Sequence, residues 1–419
     1  GMIRFPIALA LTALLPVPAL ASECAAPFDA PKAWQEALSE LRGNYSYWDR
    51  DGAGEVLASA APAMNGAPDR LTFADRLQTL LLLFRDSHLH VTPTSKPAAA
   101  WIPSAADFWL REQDGRLVVQ DVKQGSVATE RGLRPGWELV SMDGTNPRAV
   151  VRARFAALGI SLSPAQELYG INALVSGRLE QARSFVFRIA GRARTLDLPP
   201  GYGSVRRPSE PLSVVWQHSP GGQAVAVLRI NNSLGEAALI PAFDQAVAGL
   251  PAGTRVVLDL RDTPSGGTST QARAIIGHFI AAAAPYQRHE LTSERVQSGV
   301  PRIWTEQVQP RAPVLPAPVV LAGLWTGSMG EGLTIGLNAA AGARVVGSPM
   351  GHLLGAIIQD ELPASCLTVS FANEKLWHVN GTPREDFMPT DPVAQADTAP
   401  DGTDLALARA LALIDGPAG

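Results

Sequence analysis

The feature that most constrains the fold is an alternation of β-branched runs with helical segments in the second half of the chain. The apolar runs lie at residues 225–230, 256–260 and 319–324, and the helical segments at residues 237–250, 270–283 and 329–340. Continuously apolar strands are typical of a parallel sheet buried on both faces, and helices supply the crossovers that such a sheet needs. The sequence therefore predicts an α/β fold with its functional residues where the strands end.

The remainder of the chain differs in character from this α/β region. With 419 residues, of which 46% are hydrophobic, the chain exceeds what one core of ordinary size uses, so two or three domains are expected. Residues 22–97 show helical periodicity, and residues 98–200 mix short strands, tight turns and a helix. Residues 201–220 are rich in Pro, Ser and Gly, which predicts a connection at the start of the α/β core, assigned to residues 201–419.

The first residues have the pattern of a secretory signal peptide. Arg4 precedes an apolar run at residues 5–15 and the small-residue site at residues 19–21. We predict a signal peptide over residues 1–21, with Gly1 as a cloning remnant, and therefore a periplasmic or secreted protein with no integral membrane segment after cleavage. A short buried helix is the alternative, but three prolines in the segment disfavour it.

Charge and cysteine content exclude several classes of function. Thirty-five Lys and Arg against 39 Asp and Glu give a formal charge of −4, so no basic surface is expected to hold nucleic acid. The only two cysteines are Cys24 and Cys366, which either pair in an oxidising compartment or remain separate thiols. Neither CxxC nor HExxH spacing occurs, and no third ligand accompanies His88 and His90, so no metal site is predicted.

The most informative motif is a strand–turn–helix at residues 319–332. A buried strand stops, a glycine-rich turn follows, and a helix begins with Ser328 at the junction. This arrangement exposes a hydroxyl at a strand end and directs free helix N–H groups at any negative charge that develops beside it. Alternatively, Ser328 is only a helix cap, and Glu331 completes a capping box.

A second segment favours a catalytic interpretation of Ser328. The strand at residues 257–260 leads to Gly266 and Gly267, whose backbone can approach a substrate closely because no side chain intervenes. If this strand lies beside the one preceding Ser328, the N–H of one of these glycines, with Gly266 and Gly267 as the candidates, would form an oxyanion hole together with the N–H of Met329. An ordinary turn is the alternative for the glycine pair.

These two motifs resemble those of the C-terminal processing (tail-specific) serine proteases, whose relatives include the tricorn protease. The first motif is LDLR followed by GG (residues 258–267), and the second is TGSMGE (residues 326–331). Residues 98–200 also resemble the PDZ domain of these proteases through GSVA (residues 125–128) and GLRPGWELVSMDG (residues 132–144). The resemblance implies a mixed α/β fold: a crotonase/Clp-protease-like catalytic core, a PDZ-like β-rich domain and a helical N-terminal region. It also implies a protein or peptide substrate and no cofactor.

The resemblance also assigns roles to individual residues. The residue that matches the family's nucleophile is Ser328. Many members use a lysine some two dozen residues later as the base, but no lysine of this chain lies at that distance. The tricorn-like branch instead uses a histidine preceded by a serine, which Ser87 and His88 match, and a later glutamate, which Glu385 matches. Glu385, acting through the Ser87 hydroxyl, would then hold the tautomer of His88, and His352 is the alternative base.

Two other functions compete with an exported serine endopeptidase. A non-catalytic protein that holds peptides or apolar ligands on the same scaffold is suggested by the missing lysine. An α/β-hydrolase esterase is disfavoured because Thr326 occupies a position where the G-x-S-x-G elbow needs glycine. The PDZ-like segment either adds a peptide strand to its sheet edge or serves only as a structural spacer.

Overall fold

The computed structural model describes most of the chain. Described are residue 24 and residues 26–95, 106–178, 180–200, 205–393 and 402–416. The predicted signal peptide lies outside these residues. No helix among the described residues is long and apolar enough to cross a membrane.

The N-terminal region consists of helices followed by one short strand. The elements are α1 (Ala30–Asn44), α2 (Ala53–Ala58), α3 (Ala61–Asn65), α4 (Arg70–Leu81) and β1 (His90–Thr92), with 3-10 turns at Arg50–Gly52 and Leu82–Phe84. Helix α1 begins after Asp29, whose carboxylate accepts the N–H of Lys32, and α4 begins after Asp69, which accepts the N–H of Thr72. Both helices thus start where a side chain satisfies a free backbone donor.

The middle region is an antiparallel sheet with helices packed against it. Its elements are β2 (Phe108–Gln113), β3 (Arg116–Val122), α5 (Val127–Glu130), β4 (Glu138–Met142), α6 (Pro147–Ala156), α7 (Pro164–Ser176), β5 (Arg183–Ile189) and β6 (Arg192–Leu198). The strands pair in chain order, which leaves β2 at an edge of the sheet. Ser163 and Gln166 form a capping box at the start of α7.

The second half of the chain contributes ten strands to two sheets. The strands are β7 (Leu212–His218), β8 (Ala224–Ile230), β9 (Arg255–Asp259), β10 (Ala284–Leu291), β11 (Arg302–Val308), β12 (Val319–Ala322), β13 (Arg344–Gly347), β14 (Ala356–Leu362), β15 (Leu367–Trp377) and β16 (Asp391–Pro392). The helices are α8 (Leu239–Ala248), α9 (Ser269–Ile276), α10 (Thr292–Ser298), α11 (Met329–Ala341) and α12 (Leu405–Ile414), with 3-10 turns at Gly277–Phe279 and Arg384–Asp386.

The predicted parallel sheet is confirmed. Its six strands lie in the order β16–β13–β12–β9–β8–β7, and all neighbours are parallel except β7 and β8. Two local predictions are wrong. The predicted connection at residues 201–220 contains β7, which pairs with β8 along its whole length. The helix predicted over residues 270–283 ends at Ile276, because the carbonyl of Gly277 accepts the N–H of Arg311 instead of continuing the helical hydrogen bonds.

A second sheet joins the N-terminal region to the second half of the chain. Strand β1 pairs antiparallel with β15, with His90 opposite Ser370. Cys24 and Cys366 form a disulfide at the start of β15, with a Cα–Cα distance of 5.7 Å, which selects pairing over separate thiols. The segment that precedes β1 is therefore fixed to the C-terminal half of the molecule.

The hydrophobic core continues across these regions. One cluster contains Trp34 and Leu77 from the N-terminal helices, Phe108 and Phe187 from the antiparallel sheet, and Phe371 from β15. Two further clusters cover the two faces of the parallel sheet. Because closely packed cores deform little, the three regions hold one another in place.

Candidate active site

Ser328 lies on a sharp turn between β12 and α11. Its backbone has φ 53° and ψ −115°, a conformation that residues other than glycine seldom adopt. Strained backbone of this kind is concentrated at functional sites, where the surrounding structure holds it. Here the carboxylate of Glu331 accepts the N–H of Ser328 at 2.8 Å, which fixes the turn at the start of the helix.

The turn that carries Ser328 is bonded to the loop that follows β9. Strands β9 and β12 are parallel neighbours, so their following loops leave the same edge of the sheet. The N–H of Thr263 donates to the carbonyl of Trp325 at 3.0 Å, and the N–H of Gly327 donates to the carbonyl of Thr263 at 3.1 Å. The hydroxyl of Thr326 donates to the carbonyl of Leu260 at 2.9 Å. These bonds bring the glycine pair and Ser328 together.

The glycine pair contributes one available N–H group. Gly266 packs so closely on Ser328 that a Cβ at this position would lie 2.3 Å from the Ser328 Cβ. Its N–H donates to the carbonyl of Thr263 at 3.2 Å, so the structure removes Gly266 from the predicted oxyanion donors. Within the described residues, no acceptor is bonded to the N–H of Gly267 or of Met329. Gly267 and Met329 therefore remain the candidate donors.

His88 makes the contact to Ser328. Its Nε2 lies 2.9 Å from the Ser328 Oγ, and its Nδ1 lies 2.7 Å from the carbonyl oxygen of Leu354. Because a carbonyl can only accept, Nδ1 must carry the proton, and Nε2 presents its lone pair to the serine hydroxyl. This is the orientation that a general base for Ser328 requires.

The surroundings of His88 favour the neutral imidazole. Burial lowers the pKa of His88 to about 3, and the positive charge of Arg384 acts in the same direction, while the Leu354 carbonyl opposes them. At neutral pH the ring is therefore uncharged and able to accept a proton.

Asp86 is a functional residue that the sequence analysis missed. Its buried carboxylate accepts the N–H of His88 at 2.9 Å, the N–H of Leu354 at 3.1 Å and the hydroxyl of Tyr45 at 2.9 Å. One side chain thus joins the backbone of His88 to the residue whose carbonyl bonds the His88 ring. Its position two residues before His88 was the only signal in the sequence.

Glu331 is bonded to the residues just before Leu354. Besides Ser328, it accepts the N–H of His352 at 2.9 Å and the N–H of Leu353 at 3.0 Å. Burial raises the pKa of Glu331 to about 7, whereas these N–H donors and the Arg384 guanidinium, 4.0 Å away, favour the carboxylate. Glu331 was predicted from the sequence as part of a helix cap, and in the structure it also links the serine turn to His352 and Leu353.

The structure does not assemble the predicted relay from Glu385 through Ser87. The hydroxyl of Ser87 lies 3.0 Å from that of Tyr169, and the Leu354 carbonyl takes the place on the His88 ring that Ser87 was expected to fill. Glu385 lies in the wall of a neighbouring polar cavity, where burial raises its pKa. The predicted relay is therefore wrong, because the Leu354 carbonyl already accepts the proton on Nδ1 of His88.

The alternative base His352 shares the carboxylate of Glu331 with Ser328, but no hydrogen bond joins its ring to Ser328 within the described residues. Its N–H is bonded to Glu331, and its ring lines two adjoining cavities. Burial and the nearby arginines Arg50 and Arg85 lower the pKa of His352 to about 4. Among the described residues, the ring that hydrogen-bonds Ser328 is that of His88.

Two cavities lie on either side of His352, whose N–H is bonded to Glu331. A cavity of about 280 Å³ opens between the antiparallel sheet and the parallel-sheet core, with Trp109 and Leu168 on one side and Leu324 and Met350 on the other. A polar cavity of about 560 Å³, lined by charged residues such as Arg50, lies beside it. The first offers apolar walls for a ligand, as binding clefts usually do. Within the described part of the chain, no group of three or more His, Cys, Asp or Glu side chains is placed to hold a metal ion.

Buried ion pairs hold the loop that follows β9. Arg261 bonds the carboxylates of Asp259 and Asp404, and Asp262 lies 3.1 Å from the buried ammonium of Lys123 on the antiparallel sheet. Arg261 and Asp262 thus each bond oppositely charged groups from other parts of the chain. The loop before the glycine pair is thereby fixed to two other elements.

Comparisons with known proteins agree on the fold. No family model matches the chain, and no curated protein sequence matches it. Mature CPAF is 14% identical with a TM-score of 0.57, over 87% of this chain and 92% of that one. The photosystem II D1 C-terminal processing protease is 17% identical with a TM-score of 0.55, over 93% of this chain and 100% of that one. A putative peptidase from Parabacteroides merdae ATCC 43184 is 13% identical with a TM-score of 0.54, over 92% and 97%.

The chain has the fold of these proteases. At such identities the likeness concerns the mixed α/β fold, which agrees with the fold class predicted from the sequence. Such a fold does not by itself determine the function, which depends on the residues of the site.

Proposed function

We propose that the protein is an exported serine endopeptidase. The observation that carries the proposal is the 2.9 Å contact between His88 Nε2 and Ser328 Oγ, with the Nδ1 proton directed to the Leu354 carbonyl. A serine on a strained turn, with a neutral imidazole in hydrogen-bond reach, is the arrangement used for nucleophilic attack on a carbonyl.

The proposed reaction forms an acyl-enzyme. Ser328 Oγ attacks the peptide carbonyl carbon while His88 Nε2 takes the hydroxyl proton. The N–H groups of Gly267 and Met329 stabilise the oxyanion of the tetrahedral intermediate. The C–N bond then breaks, His88 returns the proton to the leaving amine, and water, activated by the same imidazole, releases the acid.

The likeness of the fold to a C-terminal processing protease supports a protein or peptide as the substrate. In this proposal the peptide approaches Ser328 from the cleft between the antiparallel sheet and the core, where the apolar cavity is lined by Leu324, which follows β12, and by His352. The disulfide between Cys24 and Cys366 supports export, because such bonds persist in oxidising compartments.

Covalent labelling tests the proposal directly. A fluorophosphonate probe is expected to label the wild-type protein, and Ser328→Ala is expected to abolish both labelling and peptide hydrolysis. Ser348→Ala is the matched control, because Ser348 also follows a strand of the same sheet, but its hydroxyl donates to the Pro349 carbonyl and not to a histidine. His88→Ala should lower the labelling rate by about 10²–10⁴-fold, as removal of a general base does.

The opposite result identifies the competing function. If well-folded wild-type protein is neither labelled nor able to cleave peptides, the chain is a binding protein on a protease scaffold. If Ser328→Ala retains hydrolysis, the nucleophile is another group and the mechanism above is wrong.

A further inference from the structure

The outer edge of β2 is occupied by a side chain of the same domain. Strand β2 is the edge of its sheet, and among the described strands it pairs only with β3. Asn172, on α7, accepts the N–H of Leu110 at 2.8 Å through its Oδ1 and donates to the carbonyl of Leu110 at 3.0 Å through its Nδ2. These are the two hydrogen bonds that a residue of an added antiparallel strand would exchange with Leu110.

The Asn172 carboxamide is held firmly in this position. Asn172 is 4% exposed and Leu110 is 1% exposed, so little water reaches these bonds, although both residues border the apolar cavity. Nδ2 also donates to the carbonyl of Leu168 at 3.2 Å, one turn earlier on the same helix. A peptide that paired with β2 would have to displace the carboxamide and leave its buried polar atoms without partners, which is costly.

We infer that Asn172 acts as an internal substitute for one residue of a peptide strand and closes the β2 edge of the PDZ-like domain at Leu110. The domain therefore does not recruit substrates by strand addition, although such domains commonly bind peptides in that way. The inference goes beyond the proposed hydrolysis and does not depend on the role of Ser328.

The same elements instead form a fixed wall beside the candidate active site. Trp109 from β2 and Leu168 from α7 line the apolar cavity. Helix α7 is also attached to the segment that precedes β1, because the hydroxyl of Tyr169 meets that of Ser87 and Gln166 donates to the carbonyl of Leu83 at 3.2 Å. A ligand is thus selected by the cavity between the two regions rather than by the free edge of a strand.

Hydrogen–deuterium exchange with mass spectrometry tests the inference on the full chain carrying Ser328→Ala. The probes are synthetic decapeptides that end in an apolar residue, with a free or an amidated C-terminus. In protein that retains Asn172, the segment with residues 108–113 is expected to exchange slowly and to show no change when either peptide is added. Exchange reports binding rather than cleavage, so its outcome is independent of the proposed hydrolysis.

Asn172→Ala should open the edge. The Leu110 amide is then expected to lose its slow exchange, and the free-acid peptide should restore protection to the segment. Gln166→Ala is the matched control, because it removes another side-chain bond of α7 and leaves Leu110 bonded. Asn172→Asp keeps the shape and the acceptor but loses the donor, so it is expected to weaken protection if the alanine variant does not fold.

Three results would overturn the inference. The first is peptide-dependent protection of residues 108–113 while Asn172 is present. The second is unchanged exchange of this segment in folded Asn172 variants. The third is an exposed β2 edge in Asn172→Ala that no peptide protects.

Discussion

The proton on Nδ1 of His88 points to a backbone carbonyl rather than to a carboxylate. The Leu354 carbonyl fixes the same tautomer that an aspartate fixes in a Ser-His-Asp triad. A neutral carbonyl adds no full negative charge, however, so it does less to stabilise the imidazolium that forms during attack. Burial and the positive charge of Arg384 therefore keep the pKa of His88 low in the free protein.

Protonation of Glu331 should cause kcat/KM to fall as the pH is lowered. Its carboxylate accepts three N–H groups, and burial raises its pKa to about 7, whereas the pKa of His88 lies far lower. Lowering the pH through about 7 protonates Glu331. The new O–H group of its carboxyl then faces backbone N–H groups that need an acceptor. We expect kcat/KM to fall over this range even though His88 remains neutral.

The matching variant is Glu331→Gln. Because its NH₂ group cannot accept, it should lower kcat/KM by about 10²-fold, as displacement of reacting groups by about 1 Å does, and should remove the acid limb. The measurement is the pH profile of kcat/KM for both proteins. A limb near pH 7 that persists in the glutamine variant would show that another group titrates there.

Gly266 is expected to be required because it lacks a Cβ, and not because of its N–H. A Cβ here would lie 2.3 Å from the Ser328 Cβ and 2.8 Å from the Met329 nitrogen, at φ +64°. We expect Gly266→Ala to abolish fluorophosphonate labelling while the protein remains folded. Gly253→Ala is the control, because it has a similar φ of +77° with nothing within 4 Å, so it carries only the backbone strain. Normal labelling of Gly266→Ala would contradict the packing described here.

At the scale of elements, the site depends on a short segment held from both sides. Residues 352–355 lie between the serine turn and the segment with His88. Glu331 bonds two of their N–H groups, Asp86 bonds a third, and Arg384 donates to the carbonyls of Leu353 and Gly355 at 2.6 and 3.1 Å. We call these three side chains, Glu331, Asp86 and Arg384, the clamp. Their bonds keep the Leu354 carbonyl directed at His88.

Asp86→Asn tests the clamp. The amide keeps the shape but replaces an acceptor oxygen with a donor, which leaves a buried N–H or the Tyr45 hydroxyl unsatisfied. We expect unfolding to become easier by about 1–3 kcal/mol, the cost of an unsatisfied buried group, together with a lower labelling rate at Ser328. Denaturant unfolding measures the first effect, with the exposed Asp51→Asn as control. A stable variant with normal labelling would show that the clamp is dispensable.

At the scale of the whole molecule, the site exists because the N-terminal region is attached to β15 in the second half of the chain. Strand β1 pairs with it, and the disulfide from Cys24 reaches its first residues. The segment with His88 is thereby fixed to the half of the chain that carries Ser328.

Removing the disulfide should weaken this closure. A bond across 342 residues of sequence restricts the unfolded chain strongly, and loss of a native disulfide costs about 2–5 kcal/mol. We expect Cys366→Ser or a reducing agent to lower the free energy of unfolding by this amount, measured by denaturant titration. Folded protein should still be labelled at Ser328, because the clamp is independent of the disulfide. An unchanged unfolding midpoint would contradict the expected contribution.

The main strands and the strand–turn–helix at Ser328 could be predicted because they follow from local patterns. Strand β12, for example, is an apolar run that ends in glycines, and such a run predicts a buried strand wherever the rest of the chain lies. Strand β7 was not predicted because the residues around it are typical of turns. The helix predicted over residues 270–283 ends early because the N–H of Arg311, distant in sequence, donates to the carbonyl of Gly277. Both errors have a tertiary cause, since pairing partners do not appear in a local window.

By itself, the sequence determined the elements, their fold class and the turn that exposes Ser328, because periodicity and turn chemistry act between near neighbours. Only the tertiary structure decided that His88 rather than His352 contacts Ser328, and that the Leu354 carbonyl rather than Ser87 holds its tautomer. Those contacts join residues 240 and 266 positions apart. Such distances are set by how the sheets pair and the cores pack, and a side-chain pattern along the chain does not encode them.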